Sequence, residues 1–194
     1  MKTIFLFMAM ILCSNIYAQS FQKVTVSLLD GTTIEGTGKF NPGHMLVFKK
    51  DDGTKREILN DRKIYGFIIQ THSGEEVYEY KTVETSKKGR KELFQLVESG
   101  KLNLYRRRDP GSGMYMGGML VMRAPKHMYY HSKPGEDILT ALKNTNPISG
   151  KFESEVSEIF SDCPGLISKI NSRYFTRTGL HQVFAYYNNP QNCL

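Results

Sequence analysis

The sequence predicts an α+β protein in which an N-terminal antiparallel β-meander or small barrel, extended by additional strands, is followed by a C-terminal helical subdomain. Three observations carry this expectation. From Val24 to Ile69, short alternating apolar runs are separated by turns of Asp, Asn and Gly. Further strand-like runs follow as far as Tyr130. Beyond Ser132-Lys133-Pro134-Gly135 the apolar spacing changes from the period of a strand to that of a helix. Residues 1–18 are expected to be a leader, 19–134 a β-rich domain and 135–194 the helical subdomain.

Phe21 to Ile69 reads as five strands broken at Asp30-Gly31, Asn41-Pro42-Gly43, Asp51-Asp52-Gly53 and Asn60-Asp61. Asp-Gly suits a two-residue hairpin because both central residues need φ > 0. Gly36 and Gly38 fall inside the second strand, where a missing side chain lets a strand bend across a small barrel. Val77 to Val83 alternates and predicts a strand with one wet face. Leu93 to Gly100 reads as a short helix or a strand, and the i, i+3, i+4 spacing of Leu93, Leu96 and Val97 favours a helix capped by Gly100. Leu102 to Tyr105 is a strand that runs into Arg106, Arg107 and Arg108. Pro110 to Gly118 holds four glycines and reads as a flexible loop. Met119 to Met122 is expected to be a buried strand, and Met128 to Tyr130 another. Asp137 is placed to cap a helix over Ile138 to Lys143, and Ser149 to cap one whose apolar face is Phe152, Val156, Ile159 and Phe160. Cys163-Pro164 ends that helix, because proline has no amide hydrogen to continue the ladder. Leu166, Ile167 and Ile170 suit a short helix, and Leu180, Val183, Phe184 and Tyr187 the last one.

The first residues point to export. Lys2, the apolar run Ile4 to Cys13 and Ile16-Tyr17-Ala18 have the three parts of a secretory signal, with cleavage expected after Ala18. The run falls short of the roughly 18 apolar residues that a membrane-spanning helix needs. Leu12 before Cys13 does not suit a lipidation site. No second such run occurs, so no transmembrane segment is expected in the mature chain, which would be periplasmic or extracellular. Cys163 and Cys193 then remain as an even pair in an oxidising compartment, and a disulfide between them is expected.

The chain carries a formal charge of +7. Its cations cluster at Lys87, Lys88, Arg90 and Lys91 and again at Arg106 to Arg108. Such runs commonly meet nucleic acid, which an exported protein rarely meets. Anionic lipid, envelope polysaccharide or an acidic protein face is the corresponding partner outside the cytoplasm, and the plainer reading of the same clusters is a solvated surface. Tyr105, Arg106, Arg107, Arg108, Tyr129 and Tyr130 are the candidate binding face, since aromatics and arginine dominate binding surfaces energetically.

Reactive motifs are missing from the sequence. There is no H-E-x-x-H, no G-x-S-x-G and no dinucleotide fingerprint. Cys163 and His181 lack a third, orienting residue, and the cysteine has a partner in Cys193. Glu75-Glu76 and Glu153 with Glu155 diverge and read as solvated. The glycines at 111–118 open no helix and so lack the geometry of a phosphate cradle. A non-enzymatic module without a cofactor is therefore expected. The alternative is a Cu(I) or other soft-metal carrier using the segment from Met114 to Met128, with Met114 and Met116 as thioether ligands.

Two resemblances add to this reading. Residues 24–69, through Val24 to Gly31, Ile34-Glu35-Gly36 and Ile64-Tyr65-Gly66, look like the small SH3-like and Sm-like barrels, which implies a shape. Leu93 to Val97, Gly100, Leu102, Leu104-Tyr105, Tyr129-Tyr130 and the helical stretch ending near Tyr187-Asn188 resemble a widespread group of uncharacterised exported proteins of Gram-negative bacteria. In some longer members a similar region precedes an outer-membrane β-barrel. Here the resemblance implies a stand-alone binding or accessory module of the cell envelope, whose partner is an envelope protein or an anionic envelope component.

Overall fold

A computed structural model describes residues 21–40, 45–51, 53, 56–86, 89–109, 113–116, 119–122, 126–145, 149–175 and 179–193. The expected leader at 1–18 and the basic pair Lys87-Lys88 lie outside the described residues. The protein is α+β, with a β-rich N-terminal region followed by helices. Ten strands form one mixed sheet in the order β12-β11-β8-β7-β6-β5-β1-β2-β3-β4.

Five of these strands make the first unit: β1 (Gln22–Leu28), β2 (Thr33–Phe40), β3 (Leu46–Lys50), β4 (Glu57–Leu59) and β5 (Ile64–Thr71). The first four form a meander, and β5 returns to the free edge of β1, where Val24 pairs with Ile69 and Val26 with Phe67. Alternation sends Val24, Val26, Leu46, Phe48, Phe67 and Ile69 to one side, where they form a buried cluster with Leu59 and Ile64. Burying these side chains removes apolar surface from water at about 25 cal/mol per Å². Gly36 belongs at its bend: a Cβ there would stand 2.4 Å from the Lys49 carbonyl oxygen.

The second unit closes on itself. From β6 (Gly74–Val83) the sheet continues antiparallel through β7 (Lys91–Glu98), β8 (Asn103–Asp109), β11 (Lys126–Ser132) and β12 (Ile138–Ala141). β12 then pairs in parallel with the end of β6, with Ile138 opposite Thr82 and Leu139 opposite Val83. β6 is long enough to serve both units, since residues 74–79 pair with β5 and the last two with β12. Val83, Phe94, Tyr105, Tyr130 and Leu139 fill the ring of five strands. A separate hairpin joins β9 (Gly113–Met116) to β10 (Met119–Met122).

Three helices cover the outer face of the ring: α1 (Gly150–Ile159), α2 (Pro164–Asn171) and α3 (Leu180–Asn188). The Ser149 hydroxyl accepts from the Phe152 amide at 3.2 Å and caps α1, and Pro164 occupies the first turn of α2, where its missing N–H is not needed. Phe152, Val156, Phe160, Leu166, Val183 and Phe184 pack against Leu102 and Leu104 from β8 and its approach. The Cys163–Cys193 disulfide ties the start of α2 to the end of the chain. Among the described residues no helix is long and apolar enough to cross a membrane.

Three expectations are corrected. Residues 93–98 are not helical but belong to β7, which is buried on both faces. Leu93 faces the first cluster, Phe94 and Leu96 the ring and Val97 the helices. A strand covered on both sides reads as a continuous apolar run and so fits helical spacing by accident. Residues 138–141 are β12 rather than a helix: Leu139 is buried while Ile138 is 58 % exposed, a two-residue period over a stretch too short to reveal it. Within the expected loop at 110–118, Gly113–Met116 is a strand, paired residue by residue with β10.

Candidate functional site

The six residues of the expected binding face do not share one exposed face. Consecutive strand residues point to opposite sides, and β8 separates its arginines accordingly. Tyr105 and Tyr130, directly opposite each other in register, turn into the ring and are 1 % and 5 % exposed. The Tyr105 hydroxyl donates to Glu79 at 3.0 Å, and the Tyr130 ring meets Phe94 edge-on at 5.0 Å. Arg107 lies on that same side. It pairs with Glu92, and its guanidinium stands 5.5 Å from the Phe94 ring centre and 5.8 Å from that of Tyr130. Arg106 lies on the other side, donating through Nε and Nη2 to Gln95 Oε1 at 3.1 and 2.6 Å. Tyr129, opposite Arg106, packs against the helical layer. For Arg108, Met114 and Met116 only the strand position is described: Arg108 stands opposite His127, and Met114 opposite Val121.

What the fold does bring together is a groove of about 680 Å³ at the seam between the two units. The β4–β5 turn contributes Asn60, Asp61 and Arg62, β6 contributes Tyr80, the start of β7 contributes Arg90 to Leu93, and β8 contributes Arg107. Four cations and two carboxylates line it. Their supports are local. The Arg62 amide donates to Asn60 Oδ1 at 3.2 Å, while the amides of Lys63 and Ile64 both donate to the Asn60 carbonyl, so the turn that presents Arg62 is held by its own residues. Arg90 follows Gly89, whose φ of 57° is the left-handed conformation that glycine adopts freely, and the Arg90 amide donates to Ser86 Oγ at 3.3 Å.

Charge in the groove is only partly compensated. Glu92 is taken by Arg107, and Lys91 stands 3.9 Å from Asp137. Among the described residues the guanidiniums of Arg62 and Arg90 have no ion-pair partner. At the floor, Tyr80 is 5 % exposed, and its buried hydroxyl has no hydrogen-bond partner among the described residues. Burial, with the charge of Asp61 adding to it, pushes the Tyr80 phenol up to about 12, so it remains a neutral donor at neutral pH.

A second cavity, of about 550 Å³, lies between β11 and the helices. It is lined by His131 and Ser132 and by a cluster in which Lys101 Nζ donates to Asp162 at 2.5 Å and the Tyr187 hydroxyl donates to the same carboxylate at 3.0 Å. These pairings hold the Asp162 carboxyl below its ordinary range. Among the described residues no group of three or more His, Cys, Asp or Glu side chains is arranged to hold a metal ion.

Sequence reasoning found Arg90, Lys91 and Arg107 within its basic clusters but not Tyr80, Asn60, Asp61 or Arg62. Tyr80 is one member of an alternating run, and only the join of β6 to both units makes it the floor of a groove. The chain matches no family model, no curated protein and no solved structure.

Proposed function

We propose that the protein is an exported, non-enzymatic binding module of the bacterial cell envelope, acting in the periplasm or outside the cell on an envelope protein or other anionic envelope component. The observation that carries this reading is the groove at the seam, where four cations meet two carboxylates and, among the described residues, Arg62 and Arg90 have no ion-pair partner. Its walls come from three strands and a short turn pinned to the sheet, so the site is formed before any ligand arrives and little ordering entropy opposes binding. Export is supported by the leader pattern at residues 1–18 and by the disulfide, a bond that persists in oxidising compartments. The test is to tag the C-terminus, cross-link living cells and identify what co-purifies by mass spectrometry. A processed chain with an acidic or otherwise anionic partner, lost in an Arg62→Glu, Arg90→Glu variant, is the expected result. Recovery of an unprocessed cytoplasmic chain, or of the same partner from both proteins, would overturn the reading.

A soft-metal carrier is the second reading, favoured by one feature of register. Met116 stands opposite Met119 in the β9–β10 hairpin, so Met114, Met116 and Met119 occupy positions on one face of it. Three thioether residues on one face suit Cu(I). Titration with Cu(I) under reducing conditions should show tight binding that is lost in a Met114→Leu, Met116→Leu variant; equal affinity in the two proteins removes this reading.

A further inference from the structure

We infer that the β9–β10 hairpin is a shallow membrane anchor, entering the boundary between headgroups and acyl chains of an anionic lipid surface while the cations at its root meet the headgroups. The inference rests on the reading of the chain as a module for anionic envelope components, and it adds lipid as one such component at a surface apart from the groove. β9 and β10 keep the register of the β8–β11 ladder. Asp109 stands opposite Lys126 and Gly113 opposite Met122, so from 109 to 113 on one strand and from 126 to 122 on the other the chain advances by four residues. The hairpin is a sheet of two strands only, and among the described residues neither strand packs closely against another element. Its composition is nevertheless that of a core. Met114, Met116, Met119 and Val121 occupy positions on one face, and Tyr115, Leu120 and Met122 share the other with Gly113. An antiparallel ribbon at a protein surface ordinarily keeps one polar face; here both are apolar.

Three features select lipid over a protein partner. A protein groove covers one face of a ribbon and leaves the other in water, whereas a fluid acyl layer covers both. Charge is also segregated along the chain. Residues 110–122 carry none, while Arg106, Arg107 and Arg108 precede them and Arg123 and Lys126 follow, against Asp109 and the Glu92 that pairs with Arg107. Cations beside an apolar segment add attraction to anionic headgroups. The third feature is length. Strands of four residues span about 13 Å, less than half of the roughly 30 Å hydrocarbon core, and their outer edges have no strand partner. Hydrocarbon satisfies no amide or carbonyl, so the hairpin does not cross. It stops where water and headgroups still reach its edges, the depth of interfacial anchors.

Flotation of the protein purified from exporting cells tests this, with vesicles of phosphatidylcholine alone or mixed with phosphatidylglycerol. Retention on the mixed vesicles is expected, with binding to phosphatidylcholine alone weaker by about tenfold or more. Met116→Glu with Met119→Glu should lose affinity by a similar factor at an unchanged melting temperature. Met114→Leu with Met116→Leu removes the thioethers but keeps the face apolar, and should bind the vesicles like the parent. The chain has no tryptophan, so Leu120→Trp installs a single reporter in the hairpin. Its emission should shift to the blue on the mixed vesicles and be quenched most by lipid brominated close to the headgroup end of the acyl chain. A folded protein that stays off the mixed vesicles overturns the inference. So does equal binding to phosphatidylcholine alone, or unaltered binding in the Met116→Glu, Met119→Glu variant. A change of oligomeric state in that variant without lipid also overturns it, since the hairpin would then be an interface between copies of this chain. If the vesicles are not bound but cellular capture still depends on Arg62 and Arg90, the hairpin inference alone falls. If the vesicles are bound but the chain in cells is unprocessed and cytoplasmic, the envelope reading alone falls.

Discussion

The Lys81 ammonium donates to the backbone carbonyl of Glu136 at 2.8 Å, across 55 residues of sequence. Glu136 lies just before β12, so this bond fixes the approach of the strand that closes the ring. The same ammonium donates to the Tyr65 hydroxyl of the first unit at 2.8 Å and stands 3.4 Å from Glu79 and 3.5 Å from Asp137. Lys81 is only 2 % exposed. Burial alone would lower its pKa, but the Tyr65 hydrogen bond and the neighbouring oxygens outweigh that and hold it above the ordinary lysine value. A charged lysine thus joins the two units and the closing strand at one point.

Replacing Lys81 by Met removes the donor and leaves Glu79 with Tyr105 as its remaining partner. Breaking a buried ion pair from one side costs about 3–5 kcal/mol; because Glu79 is 20 % exposed and water reaches it, a loss of about 3 kcal/mol is expected. Urea unfolding measures it, and hydrogen exchange should show the amides of 138–141 opening before those of β1 to β5. A variant as stable as the parent would show that the ring closes without its latch.

The disulfide encloses α2 and α3 within a separation of 30 residues. Constraint of the unfolded chain by a loop of that size is worth roughly 3–4 kcal/mol in the chain-entropy model. Cys163→Ala with Cys193→Ala should therefore lower the melting temperature markedly. Dithiothreitol should do the same to the parent protein and nothing further to the double variant.

His131 predicts a pH dependence. Burial lowers its pKa below 6.5, against the opposing pull of Glu155, Glu136 and Glu84. The unfolded chain therefore takes up the proton first as pH falls. Stability attributable to the neutral imidazole is fully present above about pH 6.5 and is lost as pH falls through the lower folded-state value. His131→Gln should flatten the fall in urea midpoint below pH 6.5; an unchanged slope would place the acid sensitivity elsewhere.

The turns and the alternating strands were legible because each is decided locally. Asp30-Gly31 and Asp51-Asp52-Gly53 carry the glycines at positive φ that their turns use, at 85° and 81°, and Ser149 caps the helix its position announces. β7 and β12 were not legible, for different reasons. Leu93 to Val97 is apolar on both faces because three clusters meet on it, and no local pattern reveals that a strand is covered twice. β12 is four residues long, and its parallel pairing with β6 spans more than 50 residues of sequence. The site behaves likewise. Arg106 and Arg107 look like one patch in sequence, yet they serve opposite faces, whereas Arg62 and Arg90 become neighbours of one groove only through the fold.

That separation changes what a charge reversal at Arg107 would mean. Its guanidinium pairs with Glu92 and lies over Phe94 and Tyr130, so it belongs to the packing of the ring as much as to the groove. Arg107→Glu would set a carboxylate beside Glu92 and against two aromatic faces, replacing an attraction and a cation–π contact with two repulsions. A loss of about 2 kcal/mol is expected, larger than a surface charge reversal gives. Arg62→Glu, on an exposed turn, should cost less than about 0.5 kcal/mol. Urea midpoints of the two variants measured side by side decide the matter. If Arg107→Glu unfolds at the same midpoint as the parent, its guanidinium is free surface and returns to the candidate binding residues; if it unfolds earlier, as expected, lost partner capture in that variant reports folding rather than recognition.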